Sequence, residues 1–254
     1  MRVATAAALI AGLLAVLFFL PRPWLAVPIA LVAALAGFEW ARICLLAGWA
    51  ARSYAFLVAA AFGALVLWPQ QAVFPVAAGF WILVVPAWLW SGVKAAQRIP
   101  LLVAGFAVIL PPALATLAMR PVDLLAVLVL VWIADIAAYF AGNSLGRHKL
   151  APSISPGKTW EGAAGGLLGA LAYAIIFGIM IEGISWAPYL AAAALVTVLS
   201  VVGDLYESAA KRQAGLKDSG SMLPGHGGIL DRIDSAAAAL PVAALLLPML
   251  KGAP

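Results

Sequence analysis

Charge is scarce in this chain. Only 10% of its 254 residues are Asp, Glu, Lys or Arg, where soluble domains carry about 25%, and 66% are hydrophobic, with a mean hydropathy of +1.09. That balance excludes an ordinary soluble domain. Cysteine occurs once, as Cys44, which excludes an intrachain disulfide and a thiolate cluster for zinc and leaves a small apolar core or lipid-facing residue. Histidine occurs only twice, which weakens any zinc proposal further. The net charge of +5 does not indicate nucleic acid, because the basic residues are spread over short loops rather than gathered on one face or arm. Long repeats and low-complexity tracts beyond alanine-rich helix are also lacking.

Long apolar runs are abundant. A bilayer-spanning helix needs about 20 mostly apolar residues, and such runs recur with Pro, Gly or charge between them at Val3 to Leu20, Trp24 to Leu46, Ser53 to Trp68, Ala72 to Trp90, Ile99 to Met119, Val122 to Ala141, Gly162 to Ile181, Trp186 to Val202 and Ala236 to Leu250. The expectation is an all-α, polytopic transmembrane helix bundle of about nine helices. Pro86 and the Pro111-Pro112 pair fall inside spans, which neighbouring helices in a membrane can accommodate. Arg2 precedes the first run, but Phe18-Phe19-Leu20-Pro21-Arg22 lacks a small-residue cleavage pattern, so the first segment reads as a retained helix. With the N-terminus cytoplasmic, all the Lys and Arg residues except Arg22, Arg120 and Lys251 fall in inner segments, as the positive-inside rule requires. Two long polar loops, 143–161 and 204–234, then face the cytoplasm. Residues 1–120 read as scaffold and a lipid-binding wall, and 121–254 as the region carrying chemistry.

Acidic residues locate that chemistry. Glu39, Asp123 and Glu182 lie near span ends, where interfacial exposure accounts for each. The other seven, Asp135, Glu161, Asp204, Glu207, Asp218, Asp231 and Asp234, lie in or beside the two inner loops. Asp204, Glu207, Ser208 and Lys211 are spaced i, i+3, i+4 and i+7, so a helix continuing inward puts them on one face. Asp231 and Asp234 share a face at the start of the last helix, beside Arg232, and carboxylates so near the hydrocarbon are costly unless paired or coordinated. Two such faces can meet over one ion, and hard carboxylate oxygens favour Mg²⁺. Gly225-His226-Gly227-Gly228 supplies a sharp turn with backbone amides able to meet phosphate oxygens. Lys211, Arg212, Lys217 and Arg232 supply positive charge. Taken singly, a basic inner loop is topology and anionic-lipid contact, and Gly-Gly is a turn; together they match what a nucleoside triphosphate and its metal require.

Ser208-Ala209-Ala210-Lys211-Arg212, then Lys217-Asp218-Ser219-Gly220, then Leu223-Pro224-Gly225-His226-Gly227-Gly228-Ile229-Leu230-Asp231-Arg232-Ile233-Asp234 resembles the signature of phosphatidate cytidylyltransferases. Ala210 departs from it, a bulkier apolar residue being usual there. The other inner loop is similar to the family's second block, with Asp135, Tyr139-Phe140-Ala141-Gly142, Gly146-Arg147-His148-Lys149-Leu150 and Ser155-Pro156-Gly157-Lys158-Thr159-Trp160-Glu161-Gly162. Ser155, Lys158 and Thr159 ahead of a helix start either grip a phosphate or form a capped helix entry with a proline turn; beside the signature, the first reading is preferred. The first half of the chain is similar to the family only as a hydrophobic bundle.

The resemblance implies transfer of CMP from CTP to phosphatidate, giving CDP-diacylglycerol and diphosphate. It implies Mg²⁺, with room for a second, monovalent cation; metal ligation by Asp204 and Asp231 with Asp218; fixed positive charge from Lys211, Arg212 and Lys217; and contacts to substrate from Ser155, Lys158, Thr159, Ser208, His226, Gly227, Gly228 and Arg232, with Asp135, Glu207 and Asp234 nearby. His226 either donates to a phosphate or shapes the turn. A bacterial inner membrane, an active site facing the cytoplasm and a homodimer are further implications. Three other readings compete. A CTP-dependent lipid kinase is opposed by the signature block, an ion-coupled transporter using Asp135 by the absence of inverted-repeat symmetry, and a catalytically silent scaffold by the presence of every signature carboxylate.

Overall fold

Within lipid a backbone must satisfy its own hydrogen bonds, and the apolar runs do so as helices. The computed structural model describes residues 2–68, 72–223, 225 and 227–250, with side chains from Ala7 onward. The helices are α1 (Arg2–Phe19), α2 (Arg22–Ile43), α3 (Gly48–Val66), α4 (Val73–Gly79), α5 (Val85–Ser91), α6 (Arg98–Ala118), α7 (Pro121–Leu145), α8 (Trp160–Gly178), α9 (Trp186–Gln213) and α10 (Leu230–Leu250). Among the described residues, eight helical spans are long and apolar enough to cross a membrane, and α1 adds a shorter apolar stretch, Ala7–Phe19. α4 and α5 form one of the eight, joined through a π turn at Phe80–Val84. Pro86 follows that turn; it has no N–H to give Ile82 and its ring crowds the preceding backbone, and the helix widens so that Val85 N–H donates to Phe80 O, five residues back. Each of the nine expected apolar segments is helical, so the all-α reading holds.

The loop from 146 to 159 enters α8 through a hairpin that the sequence reading did not contain. Lys149–Ala151 and Ser155–Thr159 pair as an antiparallel hairpin, β1 and β2, with Lys149 opposite Thr159 and Ala151 opposite Ser155. Pro156 holds Ser155 extended and is tolerated at the edge of so small a sheet. Thr159 then caps α8, its Oγ1 accepting from Gly162 N at 3.0 Å.

Small residues bring the site-bearing helices together. A Cβ on Gly166 would lie 2.9 Å from Ala134 O, one on Gly162 2.9 Å from Ala138 O, and one on Gly169 2.7 Å from the Ala137 Cβ, so α7 and α8 meet backbone to backbone along a small-residue ridge. Gly203 does the same for α9 against α10, where an added Cβ would stand 2.6 Å from Asp234 O. The first half anchors this assembly through side chains. Trp40 Nε1 donates to Leu101 O at 2.8 Å and Tyr54 OH to Leu102 O at 2.6 Å, tying α2 and α3 to α6. Tyr206, fully buried, sits among Trp40, Phe80, Trp81 and Trp88 and fixes α9 against the other half of the bundle.

Candidate functional site

The i, i+3, i+4, i+7 face of α9 forms as the spacing predicts, because α9 runs beyond its apolar span as far as Gln213. Asp204 Oδ1 accepts from Ser208 Oγ at 3.2 Å, and Asp204 Oδ2 pairs with Lys158 Nζ at 2.6 Å. One turn on, Lys211 Nζ stands 3.1 Å from Glu207 Oε1 and 2.6 Å from Asp231 Oδ1, with all three side chains less than 10% exposed. The acidic faces of α9 and α10 thus meet through a lysine ammonium.

The amides that lead into α10, those of Gly228, Ile229 and Leu230, are taken by carboxylates inside the protein. Gly228 N donates to Asp231 Oδ2 at 2.8 Å, and Ser219 N to the same oxygen at 3.0 Å. Ile229 N and Leu230 N donate to Glu39 at 3.0 and 2.9 Å, and Ser219 Oγ donates to Glu39 at 2.9 Å. Glu39 is 0% exposed, contrary to its expected place at the membrane interface, and its partners lie on the far side of the sequence. Gly227 has φ +78, and an added Cβ would lie 2.6 Å from Asp231 Oδ2, so the position needs glycine both for its backbone and for the carboxylate beside it.

Between these residues and the hairpin lies a cavity of about 740 Å³ lined by Asp135, Asp204, Asp231 and Asp234, by Lys149 and Lys158, and by Ser155, Thr159, Tyr139 and Asn143. The hairpin is held at both ends. At its base, Glu161 accepts from Arg147 N at 3.1 Å and pairs with His148 Nδ1 at 2.6 Å. Near its tip, Ile154 O accepts from Arg212 Nε at 3.3 Å. Lys158 offsets Asp204 and Lys211 offsets Asp231, while Asp135 and Asp234 bring two further carboxyl groups to the wall, whose charge a cation can offset. The donors are all oxygen, as a hard divalent ion requires. Among the described residues no three of these side chains form a ready-made cage, so an ion there would complete its shell with water and phosphate, the usual habit of Mg²⁺.

The family model described as the cytidylyltransferase family matches residues 1–250. The chain belongs to the cytidylyltransferase family. It is 43% identical to a phosphatidate cytidylyltransferase of Pseudomonas aeruginosa over 97% of this chain and 96% of the relative. Proteins of that name from Haemophilus influenzae, 48% identical over 46% of this chain and 43% of the relative, and from Thermotoga maritima, 41% identical over 50% of each, match over about half the length.

In this cytidylyltransferase, the predicted site residues fall into three groups. Asp135, Ser155, Lys158, Thr159, Asp204, Asp231 and Asp234 line the cavity together. Ser208, Glu207, Lys211, Gly227 and Gly228 form a layer behind it through the bonds given above. Arg212, Lys217, Asp218 and Arg232 are exposed and outside the cavity lining, with Arg212 serving the hairpin instead. His226 lies outside the described residues. Sequence reasoning passed over Lys149, Asn143 and Glu39. The first two stand in the quoted second block or beside it, and a lysine three residues after a glycine there was a usable signal.

Proposed function

We propose that this chain is a phosphatidate cytidylyltransferase, transferring CMP from CTP to phosphatidate at the cavity between the hairpin and the first turn of α10. The observation that carries the reading is the convergence of four carboxylates and two lysines on one cavity in a chain 43% identical, over 97% of its length, to a protein of that name. A phosphatidate oxygen attacks the α-phosphorus of CTP, the new P–O bond forms, and the bond to the bridging oxygen breaks so that diphosphate leaves with the electron pair. The phosphomonoester is an anion near neutral pH, its second pKa being about 6, so the nucleophile needs no strong general base. The obstacle is repulsion between anions. Lys158 and Lys149 on the hairpin provide fixed positive charge toward the phosphates, and Asp204 and Asp231, with Asp135 and Asp234 on the same wall, provide oxygens for Mg²⁺. When bound, the cation screens phosphate charge and stabilises the leaving diphosphate. The cavity opens beside the polar loops, in keeping with an active site on the cytoplasmic side of a bacterial inner membrane.

The test is to incubate detergent-purified protein with phosphatidate, Mg²⁺ and CTP labelled at the α-phosphate, beside Asp231→Asn. Label entering the lipid with the wild type, and lost in the variant and in chelator, is the expected result. Label entering a lipid alcohol only from γ-labelled CTP makes the chain a kinase and overturns the reading.

A further inference from the structure

Glu39 belongs to α2, in the half of the chain expected to be scaffold, yet its carboxylate is fully buried against the loop that carries the site. Leu230 opens α10 and Ile229 precedes it, and an isoleucine has no side-chain acceptor for the free N–H groups of a helix start. Glu39 supplies that acceptor from another helix, taking Ile229 N on Oε1 and Leu230 N on Oε2. A carboxylate at a helix N-terminus also interacts favourably with its dipole.

Ser219 connects this cap to the cavity. Its hydroxyl donates to Glu39 at 2.9 Å while its backbone N–H donates to Asp231 at 3.0 Å. The glycines on either side leave room: an added Cβ at Gly220 would stand 2.5 Å from Glu39 Oε1, and one on Gly228 would meet both Glu39 and Ser219 Oγ. Asp231 in turn holds Lys211. From α2 to the cavity wall, then, runs an unbroken series, Glu39, Ser219 and Asp231, with Lys211 behind it.

We propose that Glu39 is a positioning residue for the transfer reaction, fixing the start of α10 and Ser219 so that the Asp231 carboxylate faces the cavity in one orientation. The proposal rests on the cytidylyltransferase reading above. It requires a carboxylate, since both oxygens face N–H or O–H donors; in Glu39→Gln, whichever way the amide turns, its NH₂ confronts a donor. Loss of partners that orient a ligand typically costs about 10- to 100-fold in metal affinity or activity.

Three proteins decide it: wild type, Glu39→Gln, and Ser219→Ala, which keeps the helix cap and removes only the link from Glu39 to the loop. Transfer from α-labelled CTP is measured against Mg²⁺, CTP and phosphatidate concentration, with the folded fraction of each preparation measured alongside. Both variants are expected to raise the half-activating Mg²⁺ concentration and lower kcat, Glu39→Gln by about 10-fold or more and Ser219→Ala less, while the phosphatidate KM stays near wild type. Wild-type Mg²⁺ dependence in both, or activity lost only in proportion to folded protein, overturns the proposal. If Glu39→Gln does not fold, Ser219→Ala decides alone. A wild type that transfers no label overturns the function itself, an outcome separate from either variant's behaviour.

Discussion

Replacing Lys211 by methionine tests the electrostatic logic of the site. The side chain keeps its length but loses its charge, leaving Glu207 and Asp231 buried beside each other without the ammonium that now stands 3.1 and 2.6 Å from them. At an effective dielectric of about 20 a pair of charges 4 Å apart is worth about 4 kcal/mol, and removing one partner of a buried pair costs about 3–5 kcal/mol because the other charge is left uncompensated. With Lys211, Glu207 and Asp231 each less than 10% exposed, little solvent screening reduces that figure. For a chain of this size each kcal/mol moves the midpoint by about 2–4 °C, so Lys211→Met is expected to unfold about 10 °C earlier. Tryptophan fluorescence during heating in detergent, at one scan rate, reads this directly. Adding Asp231→Asn removes one of the stranded charges, so the double variant is expected to lose at least about 1 kcal/mol less than the sum of the singles. A shift under 2 °C for Lys211→Met, with strictly additive singles, would refute the reasoning.

Lys158→Met frees Asp204 in the cavity wall but breaks a pair whose side chains are each 26% exposed; the melting point is expected to move by no more than about 2 °C, surface-type pairs being worth about 0–1 kcal/mol, while the KM for CTP rises about 10-fold, read by the label-transfer assay. Gly227→Ala forces an L-residue into a left-handed backbone at a cost of about 1–2 kcal/mol and drives its methyl toward Asp231 Oδ2, so transfer is expected to fall by more than about 10-fold, and wild-type rates would show that the turn relaxes freely. Burial pushes the Cys44 thiol up to about 12, with Arg98 pulling weakly the other way. At pH 7.5 the native protein is therefore expected to resist maleimide that reacts fully after denaturation, with labelling climbing as pH rises toward 12 because only the thiolate is the nucleophile; rapid native labelling at pH 7.5 would contradict the burial.

Much of the fold was legible because hydropathy in a membrane chain is a long-window property, insensitive to single residues: the nine segments survive even where Pro86 turns one into a π-widened helix. The α9 face was legible for a similar reason, since Asp204 to Lys211 needs only helical periodicity to align. The hairpin was not, because Ser155-Pro156-Gly157 satisfies the local pattern of a helix entry equally well, and its pairing with Lys149 to Ala151 is a non-local fact. Glu39 was misplaced on the same ground: one acid near a span end carries no local mark of donors 180 to 191 residues away. The positive φ of Gly225 and Gly227 is what glycine in a tight turn permits, and Gly228 N finds Asp231 three residues on, but that the next two amides would find Glu39 was not written locally.

The distance between Glu39 and Leu230, 191 positions along the chain, also has a consequence for biogenesis. At about 5–20 residues per second, roughly 10–40 s separate synthesis of α2 from synthesis of α10. Throughout that interval the Glu39 carboxyl is without the three donors that hold it in the finished bundle, although the helices around it are already entering the bilayer. Helix α10 therefore completes the surroundings of α2 only after it is made, and a ribosome stalled before residue 229 leaves a nascent chain whose Glu39 lacks the Ile229 and Leu230 donors.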